Sequence, residues 1–138
     1  MQAGAAVVML AVALAGCGST AKSRYVSKLN KMCEDFARRQ HEITYSGAVG
    51  SRGDRLAAAY EQAIATPIEH LQAPPEIAPQ ANELRDVTRR QSNILRALAN
   101  AGKMGDVARV RQLGAVNDQL NSQAAQIAGA LKAESCAS

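Results

Sequence analysis

Between Asp106 and Glu134, Val107, Val110, Leu113, Asn117, Leu120, Ala124, Ile127 and Leu131 recur at gaps of three and four. That period places them on one stripe of a helix, not on the alternating faces of a strand. Asp106 heads the segment as an N-cap, its carboxylate able to accept from the free N–H groups of the first turn. The same period appears three more times. From about Ser23 to Thr44, Val26, Leu29, Cys33, Phe36, Gln40 and Ile43 form a first stripe. From about Asp54, itself an N-cap, to Gln72 the inward set is Leu56, Tyr60, Ala63, Ile64, Ile68 and Leu71. From about Pro79 to Ala101 it is Leu84, Val87, Thr88, Gln91, Ile94, Leu95 and Leu98. No segment reads convincingly as a strand.

The punctuation between these stripes is equally clear. The stretch Tyr45–Gly53 holds three glycines and two serines and reads as a loop. Ala73-Pro74-Pro75 stops the second helix, and Gly102-Lys103-Met104-Gly105 makes a short turn before the fourth. Pro67 lies inside the second helix and should bend or break it, because it lacks an N–H and clashes with the preceding turn. Four helices of similar length joined by short loops favour antiparallel neighbours. The expected fold is therefore all-α, an up-down-up-down four-helix bundle.

Ahead of the helices, an apolar run from Ala3 to Ala15 closes on Leu14-Ala15-Gly16-Cys17. It is too short to span a bilayer, which needs about 20 apolar residues. Its length suits the apolar region of a signal peptide, with small residues before the cut. The tetrapeptide resembles the lipobox of bacterial lipoproteins. Taken whole, the chain resembles small Ala-rich exported lipoproteins of high-GC Gram-positive bacteria. It shares with them the lipobox, a helical domain with a Cys near its start, the Pro74-Pro75 turn, a Gly105-Asp106 helix start and a terminal Cys136. Only the lipobox among these is a specific motif. The resemblance implies a signal peptide over 1–16, a diacylglyceryl anchor on Cys17, a lipidated tether over 17–22 and a bundle domain over 23–138. It places the domain on the extracytoplasmic face of the cell membrane and implies no particular activity. Met1-Gln2-Ala3 carries no basic residue, a departure that bears on where the chain starts more than on the anchor.

Cysteine arithmetic agrees with export. Three cysteines leave one unpaired, and lipidation of Cys17 removes that difficulty. Cys33 and Cys136 then remain, to be bridged where disulfides persist or to stand as two separate thiols. The chain-entropy model credits a loop of about 100 residues with roughly 4.7 kcal/mol. A core dominated by Ala, with aromatic residues at 3% and no Trp, gains less from burial than one rich in Leu and Phe, so such a clasp would matter. The bridge also tests the topology. It joins the start of helix one to the end of helix four, which an up-down-up-down bundle brings to one end. Three or five helices would separate those points by a helix length, about 37 Å for 25 residues. The short tether, reaching at most about 18 Å, turns the disulfide end and the Pro74-Pro75 turn toward the membrane. The Tyr45–Gly53 loop and the Gly102–Gly105 turn then point away.

Candidate sites are few. Net charge is +4 and the isoelectric point about 9.2. Lys22, Arg24, Lys28 and Lys31 crowd the start of helix one, either meeting an anionic leaflet or forming a solvated face. Nucleic acid is not an expected partner, since an exported chain rarely meets it and stacking aromatics are scarce. His41-Glu42 and Glu69-His70 match no metalloprotease pattern, because Tyr45 stands where the second His of H-E-x-x-H belongs. The two histidines lie at opposite ends of antiparallel helices, and no metal or cofactor is expected. Arg52-Gly53-Asp54 spells an adhesion tripeptide, a three-residue match common by chance. Gln40, Thr88, Gln91 and Asn117 are polar residues on inward stripes. They either fix helix register, as buried Asn does in coiled coils, or line a partly open groove. No nucleophile–base pair or phosphate cradle is visible. The leading expectation is a membrane-anchored module acting by contacts with an envelope protein. A carrier of a small apolar ligand in an inter-helix groove comes next, and an enzyme of unknown type third.

Overall fold

The computed structural model describes residues 20–45 and 51–137. Four helical arms run up, down, up and down. The first is α1 (Ala21–Tyr45), opened by Thr20, whose Oγ1 accepts from Ser23 N at 3.1 Å. The second arm is composite: α2 (Arg52–Tyr60), a π segment (Glu61–Ala65) and α3 (Thr66–His70). A 3-10 turn at Pro75–Ile77 leads into α4 (Ala78–Lys103), and α5 (Val107–Leu131) returns. No strand occurs among the described residues, and none of their helices is long and apolar enough to cross a membrane. The expected signal peptide, Cys17 with half of the tether, and much of the first loop lie outside the described residues.

The core is built where four stripes meet. Leu29, Leu120 and Leu131 are its largest fully buried side chains. Ala81, Ala101, Ala128 and Ala133 are almost without exposure and let the backbones approach closely. Asp106 caps α5 as expected, accepting from Arg109 N at 2.9 Å. The outer end of α5 differs from expectation. The helix stops at Leu131, not near Glu134, because Lys132 turns left-handed at φ 66° and Ala133 N reaches back to Ala128 O at 2.8 Å. These are the features of a Schellman end. The tail then crosses toward α1 and carries a 3-10 turn at Glu134–Cys136.

The Cys33–Cys136 disulfide is present, with Cα atoms 5.3 Å apart. Cys33, however, sits half-way along α1, so the bridge ties the middle of that helix, not its start, to the tail. Ser135 adds two polar ties. Its N–H donates to Asn30 Oδ1 at 3.0 Å and its hydroxyl to Glu34 Oε1 at 2.9 Å.

Three further expectations are corrected. Pro67 neither breaks nor ends the second arm. The π segment just before it absorbs the missing donor, and the helix continues through α3. The second arm starts at Arg52, so Asp54 lies within the first turn and is not the N-cap. Its carboxylate instead meets Lys103 Nζ at 2.9 Å. Val107, placed on the inward stripe by spacing, is exposed at the turn.

Candidate binding groove

α1 packs on the second arm, the second arm on α4, and α4 on α5, but α1 and α5 scarcely touch. The space left between them is a groove of about 560 Å³, open along one side. The cause lies in the residues that face it. α5 offers Asn117, Asn121, Ser122, Ala124 and Ala125, and α1 offers Ala37 and Gln40 beside Phe36. Small and polar groups gain little from mutual burial, so nothing draws the two helices together. The disulfide and Ser135 border the groove where the tail crosses it.

Its inner wall comes from the second arm and α4. Leu56, Tyr60, Ile64 and Ile68 line it from one, and Leu84, Thr88, Gln91 and Leu95 from the other. The Tyr60 ring meets Phe36 edge-on, with centroids 5.2 Å apart at 87°. Its hydroxyl donates to Gln91 Oε1 at 2.7 Å, and Gln91 Nε2 donates in turn to Asn121 Oδ1. This chain crosses the molecule from the second arm through α4 to α5. Burial pushes the Tyr60 hydroxyl far above the ordinary phenol value of 10.0. Thr88 satisfies its own hydroxyl on Arg85 O at 3.1 Å. Asn117 Oδ1 is buried and has no hydrogen-bond partner.

The four polar residues singled out by spacing all border this groove, in different settings. Thr88 and Gln91 are buried, Asn117 is half-buried, and Gln40 is exposed at the rim, not inside the bundle. Asn121 was missed, although it lies four residues beyond Asn117 and hence on the same helical face.

Other candidates are dispersed. His41 stacks on Tyr45 with ring centroids at 4.5 Å, and His70 closes α3 at the other end of the bundle. No grouping of ligand side chains able to hold a metal occurs among the described residues. Arg52-Gly53-Asp54 forms helix, not an exposed loop. A Cβ on Gly53 would come within 3.3 Å of Ala99, so the absence of a side chain here lets α2 approach α4 closely. On the outer face of the second arm and α4, a shallow depression is crossed by exposed ion pairs, Arg89–Glu69 at 3.3 Å and Arg96–Glu61 at 3.6 Å.

No family model, curated protein or solved structure matches the chain. What the arrangement can do follows from its own chemistry. The groove is a concave, mainly apolar surface with a few fixed amides, within the roughly 300–1,000 Å³ usual for small-molecule sites.

Proposed function

We propose that this chain is an exported lipoprotein, anchored through Cys17 on the extracytoplasmic face of the cell membrane, whose bundle carries a small apolar ligand between α1 and α5. The observation that supports this reading is the open α1–α5 side, which leaves apolar side chains facing a groove of about 560 Å³. The full chain carrying Cys17→Ser tests it free of competing acyl chains. It should take up the neutral fluorophore N-phenyl-1-naphthylamine saturably, at one site per chain. Ala124→Trp, which fills the groove, should abolish uptake while the far-UV helical signal persists. Gln40→Trp at the exposed rim should weaken uptake without touching the core. Absence of saturable uptake by the unplugged chain overturns the carrier reading. For the anchor, metabolic labelling with palmitate should mark the native chain and spare Cys17→Ser.

A second reading, contact with an envelope protein, draws support from the opposite end of the bundle. Among the described residues, Tyr45, Met104 and Val107 are the large hydrophobics left exposed, and all three lie at the end away from the tail. Tyr45→Ala with Met104→Ala should then abolish capture of a stoichiometric envelope protein from the native host, and unchanged capture overturns this reading.

A further inference from the structure

We infer that the occupant of the α1–α5 groove is an uncharged amphiphile, a hydrocarbon body bearing one neutral hydroxyl or N–H group that donates to Asn117 Oδ1; this rests on the carrier reading above.

The first argument is electrostatic. None of the described residues lining the groove is Asp, Glu, Lys, Arg or His, although 20% of the chain is charged. Tyr60 is the one phenol there, and burial keeps it protonated. A charged head group entering this space would lose hydration and meet no counter-charge among the lining residues, which is costly in a low-dielectric site.

The second argument is the state of the polar groups. Tyr60, Gln91 and Asn121 are committed to one another, and Thr88 to its own helix. Asn117 Oδ1 alone is buried with nothing donating to it among these groove amides. An unsatisfied buried acceptor is unfavourable, and a donor brought by a ligand relieves it. The last torsion of an Asn side chain is soft and broad, so rotation of the amide can offer this oxygen to the groove that Asn117 borders. The third argument is shape. Phe36, Leu56, Ile64 and Leu95 supply a continuous apolar wall within reach of the same space, which suits a hydrocarbon body.

Displacement of N-phenyl-1-naphthylamine from the full Cys17→Ser chain by three straight-chain probes of ten or eleven carbons tests the inference. 1-Decanol should displace the dye at roughly tenfold lower concentration than decyl methyl ether, which is more apolar but cannot donate. Decanoate at pH 7 should be weaker than decanol. Asn117→Leu should erase the preference for the alcohol while ether binding persists, and Asn117→Ala provides a second, smaller replacement. Equal displacement by alcohol and ether, stronger displacement by decanoate, or an alcohol preference that survives both substitutions overturns the inference while leaving the carrier reading intact. No dye uptake by the unplugged chain overturns both.

Discussion

The two long sides of α5 are held in contrasting ways. Toward α4 it is joined by a three-residue turn and packs closely, and its Leu113, Leu120, Ile127, Ala128 and Leu131 are all buried. Toward α1 it presents amides, a serine and alanines, and the two helices stay apart. The first side is held by burial, the second by a covalent strap at one level. A single helix can thus close a core with one face and keep a site open with the other, provided something other than packing spans the gap.

The sharpest way to break this comparison is to cut the strap. Cys136→Ser, or reduction, releases a loop closed across 103 residues, which the chain-entropy model values at about 4.7 kcal/mol. Calorimetry should show a fall in Tm of more than about 10 °C. An unchanged Tm would mean that packing alone sets the α1–α5 distance. Next in size, Leu120→Ala on the packed side should cost about 3 kcal/mol in denaturant unfolding, from lost burial and the cavity left behind. Ala125→Leu on the groove side should cost less than about 1 kcal/mol, since the added carbons enter open space. Equal costs would erase the distinction between the two sides.

Tyr60→Phe comes third. It strips Gln91 Oε1 of its donor and should cost about 1–2 kcal/mol at pH 7. The same residue predicts an alkaline limit. Its folded pKa lies above the unfolded value near 10, so above pH 10 the unfolded chain gives up a proton that the folded one keeps. The stability from a neutral, buried hydroxyl is therefore complete below pH 10 and declines as pH rises beyond it. Tyr25 is shifted the same way by burial, against the opposing charge of Arg85. Tyr60→Phe should accordingly reduce the alkaline slope without removing it. Smallest of all, Arg89→Ala should change stability by less than about 1 kcal/mol, because its pairs with Glu69 and Asp86 are exposed.

The arms and their order were legible because apolar spacing reports which face of a helix is buried, and Leu29, Leu84, Leu120 and Leu131 are buried where that spacing puts them. Spacing does not report which pair of helices will part. Gln40 shares a stripe with Leu29 and Ile43, yet it sits at the open side and is exposed. The polar ties from Ser135 to Asn30 and Glu34 were equally hidden, since they link residues more than 100 positions apart. Asp54 misled for a local reason. A good capping residue says where a helix can begin, but its carboxylate found Lys103 and the helix began two residues earlier.

Leu56, Tyr60, Ile64 and Ile68 are spaced by four, whereas an ideal α-helix turns once in 3.6 residues, about 100° per residue. Over those twelve steps a regular helix would carry Ile68 some 120° away from Leu56. The wider coil of Glu61–Ala65 slows the rotation, and all four face the same space. Forcing that segment to ordinary pitch at unchanged length should therefore rotate α2 relative to α3, like a key cut one notch out of phase. Tyr60 would then swing out of line with Gln91, and the cross-molecule amide relay would disconnect with every partner still in the sequence.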